Sequence, residues 1–368
     1  MQNKPRISRR INIGSVPIGG LSPVSIQSMT NTDTRNAAAT ISQIRELAQA
    51  GCEIIRVTVP DEIAAAALPE ILANSPIPVI ADIHFDYRLA IRSIEAGIHG
   101  IRLNPGNIGS ADNVRMVAEK AGEANVPIRV GANSGSLPHG LLEKKMEKGM
   151  NRADAMAEAL VEAVQEQIRI LEQYSFQQLK VSLKASSVPV TVKAYRIFAQ
   201  RSDYPLHIGV TEAGTAFRGA IKSAVGIGSL LLDGIGDTLR VSLSAPPVEE
   251  IRAAKAILEA AGIREAAPEI VSCPTCGRTN WDLISMVNRV EDLIAEIKSS
   301  GKQIKLRKVA VMGCAVNGPG EAADADIGIA GGNQQGKLLL FKKGAKFAML
   351  PEQEAFELLK QEISNQTV

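Results

Sequence analysis

The sequence predicts an α/β chain: a (β/α)8 barrel of the TIM type, followed by a smaller α/β domain. Three observations carry this. Short β-rich runs alternate with longer helical patterns eight times over roughly 240 residues, the count and length of such a barrel. The alternation stops near Gly262, and residues 263–269, which include Ala266-Ala267-Pro268, read as a linker. New strand and helix patterns then fill residues 270–368, enough for a core of their own.

The strand candidates are Val24–Met29, Glu53–Val59, Val79–Ile83, Gly100–Asn104, Ile128–Ala132, Leu179–Lys184, Leu206–Thr211 and Thr238–Ser244. Helical patterns separate them at Ala37–Ala50, Asp61–Ala73, Tyr87–Ala96, Asp112–Ala124, Arg152–Gln173, Val190–Gln200 and Ala216–Leu232, and an eighth follows at Val248–Ala261. An open doubly wound sheet usually has fewer strands and a glycine-rich first turn, which this chain lacks. Beyond the linker we expect a strand ending at Cys273, a helix at Trp281–Ser299 and a strand at Lys308–Gly313. Strands at Asp326–Ala330 and Lys337–Phe341 and a helix at Glu352–Ile363 complete the second domain, 270–368, after a barrel domain of 1–262.

Bulk composition narrows the function. Apolar residues make up 45% and charged residues 22%, an ordinary globular balance. A formal charge of only +2 and an aromatic content of 3% argue against nucleic acid as a partner. Four cysteines in 368 residues are no secreted disulfide framework. The basic Met1–Arg10 stretch has no apolar segment after it, and no apolar run is long enough to span a bilayer. The expected compartment is the cytoplasm, with no membrane partner.

Parallel barrel strands are usually apolar on both faces. Several here carry charge: Ile55-Arg56-Val57, Ile101-Arg102-Leu103, Ile128-Arg129-Val130 with Asn133 beyond it, Ser182-Leu183-Lys184, and Leu239-Arg240-Val241-Ser242. Side chains alternate along a strand, so each charged member faces opposite to its apolar neighbours. The inward choice gathers five cations at the barrel mouth, where TIM-type active sites lie. Five converging cations need anionic company. The strand-end carboxylates Asp82 and Glu212 supply only part of it. A ligand with two or more phosphates would supply the rest. The alternative is that each Arg pairs with a carboxylate in a structural network. His84 shares a face with Asp82 and joins the strand-end set, as does Thr211. Glu212 would serve as a general acid if burial raised its pKa, although the cations oppose that.

The second domain holds Cys273-Pro274-Thr275-Cys276-Gly277 and Gly313-Cys314-Ala315-Val316-Asn317-Gly318-Pro319-Gly320-Glu321. Three thiolates and one carboxylate suit an iron–sulfur cluster whose fourth iron has a replaceable oxygen ligand. Zinc on the same four residues remains an alternative, although a closed zinc site prefers a fourth Cys or His. Cys52 lies at the other end of the barrel and reads as an inert buried thiol.

Taken with Val24–Thr32, Ala81–Phe85, Arg102–Asn107, Arg129–Asn133 and Gly209–Gly214, these motifs resemble the 4-hydroxy-3-methylbut-2-en-1-yl diphosphate synthase family over nearly the whole chain. The resemblance is to the bacterial two-domain form. It implies a barrel of the dihydropteroate synthase type and a C-terminal domain like those of sulfite and nitrite reductases. It implies a 4Fe-4S cluster on Cys273, Cys276, Cys314 and Glu321, the last exchanging for substrate. It implies reductive opening of 2-C-methyl-D-erythritol 2,4-cyclodiphosphate to the allylic diphosphate, a step of isoprenoid biosynthesis. Substrate contacts would fall on Arg56, Asp82, His84, Arg102, Arg129, Asn133, Lys184, Thr211, Arg240 and Ser242, with Glu212 as proton donor. Flavodoxin or ferredoxin would deliver the electrons. A head-to-tail homodimer would bring each cluster to the partner's barrel. A zinc-stabilised non-redox barrel enzyme and a cluster-carrying redox module are the competing readings.

Overall fold

The computed structural model describes residues 4–264, 268–314, 320, 322–332 and 336–368. The chain forms two compact units, Met1–Arg264 and Glu265–Val368.

The first unit opens with an antiparallel hairpin, β1 (Ile11–Ile13) and β2 (Val16–Ile18). The barrel strands follow: β3 (Ser25–Met29), β4 (Ile54–Thr58), β5 (Val79–Asp82), β6 (Gly100–Arg102), β7 (Ile128–Asn133), β8 (Leu179–Lys184), β9 (His207–Ile208) and β10 (Thr238–Leu239). β3 to β8 pair in parallel in chain order, β10 pairs with both β9 and β3, and a parallel bridge from Val181 to Leu206 joins β8 to β9. The ring of helices comprises α1 (Ala37–Ala50), α2 (Glu62–Asn74), α3 (Tyr87–Glu95), α4 (Ala111–Glu123), α5 (Leu141–Glu147), α6 (Arg152–Glu172), α7 (Val188–Arg201), α8 (Ala216–Leu232) and α9 (Pro247–Ala260). Several start where a side chain accepts a first-turn backbone N–H: Asn36, Asp61, Asp86, Ser110 and Asn151. Each such cap is worth about 1 kcal/mol.

The main core lies between strands and helices, not in the lumen. Ile55, Val57, Ala81, Ile101, Val130, Val181, Leu183 and Leu239 turn outward into it. Their neighbours along each strand therefore face inward. The hairpin seals the N-terminal end of the lumen, where Ile11, Ile13 and Ile18 pack on Ile54 and Ile80.

Three strands are shorter than expected. β6 stops at Arg102 because Asn104 turns to cap a 3-10 turn at Pro105–Asn107, accepting from Gly106 N at 2.9 Å. β9 and β10 stop early because Gly209 passes against the backbone at Arg240. A Cβ at Gly209 would stand 2.5 Å from the Arg240 carbonyl oxygen. Helix α5, in the loop after β7, was not among the expected elements.

The second unit is a five-stranded sheet, ordered β11 (Glu269–Ser272), β12 (Lys308–Met312), β13 (Ile327–Gly331), β14 (Lys337–Lys342), β15 (Ala345–Pro351). The first three strands are parallel and the last three alternate in direction. Helices α10 (Leu283–Ser299) and α11 (Glu352–Ser364) cover one face, burying Met286, Val290 and Leu359 against Val309, Val311 and Ile329. Strand β15 was not expected. It forms because Lys343 and Gly344, at φ +48° and +75°, make the two-residue turn that matches the twist of a hairpin.

Candidate active site

The barrel register assembles the mouth. Asp82, Arg102, Arg129 and Lys180 are successive ladder partners across β5 to β8, so all four face the lumen. Asn133 and Lys184 pair one full inward-outward repeat or more further up. Arg240 continues the line of β10 and donates its backbone N–H to Ile208 O at 3.0 Å.

Two carboxylates pair with three of the five expected cations. Asp82 lies 3.6 Å from Arg56 Nε and accepts from Arg102 Nη1 at 3.1 Å. Burial alone would raise its pKa. Arg56, Arg102 and Arg129 overcome that and hold the carboxyl below its ordinary range. Glu250, at the start of α9, accepts from Arg240 Nε at 3.2 Å and Nη2 at 3.3 Å. It also accepts from Ser28 Oγ at 2.9 Å and Leu243 N at 3.1 Å. Met29 separates two of the guanidiniums, its sulfur 3.0 Å from Arg56 Nη2 and 3.5 Å from Arg240 Nη1.

Positive charge is nonetheless in excess. Arg129 hydrogen-bonds Ser182 Oγ at 3.2 Å and is pushed well below its usual pKa by burial, then by Arg56 and Arg102. Burial, then Arg129, Arg240 and Arg56, depress Lys184 in the same way. Arg56 is lowered to about 10, mainly by burial, and stays charged at neutral pH. An anionic ligand of high charge would relieve this repulsion.

The remaining expected residues line the rim. His84 is half exposed, with Nε2 3.8 Å from Asp82 Oδ2 and Nδ1 3.4 Å from Arg102 Nη1. Thr211 and Ser242 are half buried. Glu212 is exposed rather than buried, in a bend just past β9 with φ at +52°. That conformation is strained for a residue with a Cβ and is common at functional sites.

Sequence reasoning missed Glu250, Met29 and a deeper layer. Lys180 is fully buried and donates to Gln27 Oε1 at 3.3 Å. His207 Nδ1 lies 3.0 Å from Thr238 Oγ1. Asp237 accepts from Ser8 Oγ at 2.6 Å and Leu206 N at 2.7 Å. Lys180 carried a signal, since it alternates with Leu179 and Val181 just as Lys184 does with Leu183. Glu250 carried none, because a Glu in a helix's first turn reads as a solvated cap. A separate cleft of about 670 Å³ opens behind β6 and β7, lined by Asn104, Gly131, Leu137, Glu162 and Gln167. There the Gln167 side-chain amide pairs with both backbone groups of Gly131, standing in for the ladder that short β6 does not extend.

In the second unit, Ser272 and Val311 are partners on adjacent parallel strands. The chain therefore leaves the same sheet end as Cys273 and as Gly313-Cys314. Gly313 N donates to Cys273 Sγ at 3.0 Å, and Trp281 Nε1 donates to Gly313 O at 3.0 Å. Gly331 must lack a side chain, since a Cβ would stand 2.4 Å from Gly313 O. Cys276 is exposed, and none of the cysteines is in a disulfide. Glu321 and residues 315–319 lie outside the described residues. Among the described residues, no three Cys, His, Asp or Glu side chains gather at metal-holding distance. The donor chemistry still fits a thiolate-held cluster: two cysteine loops leave one sheet end, and a backbone N–H already points at one sulfur. Cys52 is buried, and its thiol is pushed up to about 12 by that burial.

Residues 8–255 match the family model described as the GcpE TIM-barrel domain, and residues 269–365 match that of the GcpE protein C-terminal domain. The chain belongs to the GcpE family. It is 54% identical to a protein of Geobacter sulfurreducens over 97% of both chains. It is 51% identical to one of Ruminiclostridium cellulolyticum, again over 97% of both chains. It is 50% identical to one of Dehalococcoides mccartyi, over 98% of this chain and 99% of that one. Each relative is named 4-hydroxy-3-methylbut-2-en-1-yl diphosphate synthase (flavodoxin). Among solved structures, the chain is similar to 3-dehydroquinate dehydratase of Geobacillus kaustophilus (17% identity, 69% of this chain, 98% of that chain, TM-score 0.49). It is also similar to dihydropteroate synthase of Yersinia pestis (14% identity, 68% of this chain, 97% of that chain, TM-score 0.46). No described helix is long and apolar enough to cross a membrane.

Proposed function

We propose that this member of the family is an oxidoreductase that opens 2-C-methyl-D-erythritol 2,4-cyclodiphosphate to 4-hydroxy-3-methylbut-2-enyl diphosphate. The observation that carries the reading is the mouth, where, among the described residues, five inward cations share the two carboxylates Asp82 and Glu250. A cyclic diphosphate matches that charge. Arg56, Arg102, Arg129, Lys184 and Arg240 hold its phosphates, with charge-assisted hydrogen bonds from the guanidiniums. Asn133, His84, Thr211 and Ser242 line the rim around the carbon skeleton.

Two electrons and two protons enter, the ring C–O bond breaks, and a hydroxyl departs as water. A 4Fe-4S cluster on Cys273, Cys276, Cys314 and Glu321 would supply the electrons one at a time. Glu212, exposed at the rim, hands a proton to the departing hydroxyl. The cations keep the freed phosphate in place as its charge grows, which stabilises the transition state more than the ground state. Flavodoxin, which the relatives' names print, is the reductant this reading assigns, and a head-to-tail homodimer unites each mouth with the partner's cysteine loops.

The test is iron, sulfide and zinc per chain after anaerobic purification, with dithionite-driven turnover of the cyclic diphosphate. About four irons and four sulfides, with turnover lost in air, supports the reading. One zinc, no sulfide and no turnover after iron–sulfide reconstitution replaces it with a zinc-stabilised barrel. Mixing an Arg240→Ala chain with a Cys314→Ser chain tests the shared site, and a mixed dimer with no activity counts against it.

A further inference from the structure

The outer edge of the second unit's sheet has features that the reaction does not use. Strand β15 is the last in the sheet, and among the described residues no strand pairs with its free edge. Two large apolar side chains stand out from it, Phe347 at 45% and Met349 at 41% exposure. The hairpin 337–351 contains four lysines and no acidic residue. Lys342 pairs with Glu362, while Lys337, Lys343 and Lys346 are exposed and have no ion-pair partner among the described residues.

The register says which face these groups share. Met349 pairs with Leu339, Leu339 with Ala330, and Ala330 with Met312. Ladder partners project to the same side, so one apolar row crosses the sheet from Met312 to Met349 on the face opposite α10 and α11. Near β12 and β13 that face is closed by Ala322 and Ala325. Toward β15 it opens. The ladder slips between Leu340 and Phe341, which leaves Phe347 without a partner and re-aims its ring. Lys346 pairs with Phe341 and Lys337 lies two residues before Leu339, so both lysines flank the same row. Met312 immediately precedes Gly313-Cys314. Three strand spacings, roughly 14 Å, separate its strand from β15 at the same end of the sheet.

Edge lysines commonly guard a sheet against aggregation. That accounts for the lysines but not for the Phe and Met that stand exposed between them and give the face an apolar centre. We propose that this face, centred on Phe347 and Met349 and flanked by Lys337 and Lys346, with Lys343 in the adjoining turn, docks an acidic one-electron carrier of the flavodoxin type. The inference rests on the redox reading above. The uncompensated lysines select an acidic partner and speed its encounter, and the apolar centre gives a contact loose enough to release it. Each encounter oxidises one reduced flavin by one electron, which a 4Fe-4S cluster held by the cysteine loops at that end of the sheet would accept. Two encounters complete one ring opening.

The experiment compares two reductants on the holoenzyme, reduced flavodoxin and dithionite with methyl viologen, in a Lys337→Glu/Lys346→Glu chain and a Phe347→Ser/Met349→Ser chain. The expected result is at least a tenfold fall in the flavodoxin-driven rate at low salt, carried by KM for flavodoxin, with small-reductant turnover within twofold of wild type. The gap should narrow as salt rises. Unchanged flavodoxin-driven turnover in both variants overturns the proposal. So does an equal loss with both reductants, which would make the face structural. So does a change of sedimentation mass, which would assign it to a second copy of the chain. If the wild type turns over with neither reductant, the functional reading fails instead. Direct titration with flavodoxin then still tests the surface, and equal affinity for wild type and the Lys337→Glu/Lys346→Glu chain overturns it.

Discussion

The mouth and the floor of the barrel lumen are both lined with basic side chains, yet they hold charge differently. At the mouth, Arg56, Arg102, Arg129 and Arg240 are guanidiniums; Arg56 falls to about 10 and Arg129 well below its usual range, both mainly by burial. At the floor, Lys180 and His207 are pushed well below their ordinary ranges, in both cases mainly by burial. An ammonium or imidazolium sheds its proton when desolvated, whereas a guanidinium keeps it. The same lumen therefore carries four guanidiniums and Lys184 where a ligand enters, and a hydrogen-bonded layer of Lys180 and His207, both depressed by burial, deeper in. Residue type alone does not separate the two ends, since the Lys184 ammonium sits among the mouth's guanidiniums and is depressed as Lys180 is.

Substitutions at the two ends should separate most in turnover. Arg129→Met is expected to lower kcat/KM by at least ~100-fold, since it strips a buried charge from the phosphate contacts at about 3 kcal/mol. Lys180→Met, one register partner away, should change it less than about threefold. Equal losses would erase the distinction between mouth and floor. Glu250→Gln should act through Arg240 rather than on substrate. The expected loss is ~10-fold, mostly in KM, because the amide leaves the guanidinium fork without its anionic clamp. A pure kcat effect would place Glu250 in the chemistry instead.

Smaller effects concern stability. Lys180→Met should raise the barrel's unfolding midpoint by ~2–4 °C, because an apolar side chain replaces a desolvated amine. His207 gives the pH dependence. Its ring is held neutral when folded and titrates near 6.5 when unfolded, so the unfolded chain takes up the proton first as pH falls. Its contribution is complete above about pH 6.5 and declines progressively below that. His207→Gln should flatten this slope in thermal melts between pH 7 and 5. An unchanged slope would assign the acid sensitivity to other groups.

Much of the site was legible because it violates a rule. A parallel strand buried on both faces has no reason to carry Arg, so Arg56, Arg102, Arg129, Lys184 and Arg240 stood out one by one. Lys180 obeys the same logic but sits two repeats below Lys184 on β8, where the pattern does not say whether a cation meets ligand or floor. The general-acid role of Glu212 was tied to burial, whereas the residue is exposed at a positive φ, a backbone choice that local sequence does not announce. The reach of Cys273 to Gly313 depends on β11 and β12 being parallel neighbours, as in the pairing of Ser272 with Val311, which are distant in sequence.

By itself the sequence determined the alternation of strands and helices, the inward parity of the cations, and the soft donor set of Cys273, Cys276 and Cys314, because these follow from side-chain periodicity and ligand chemistry. Only the tertiary structure decided which carboxylates answer those cations, that Glu250 clamps Arg240 from a helix rather than capping it in solvent, and that burial depresses Lys180 and His207. Those outcomes depend on distance and desolvation, which exist only once the lumen has closed.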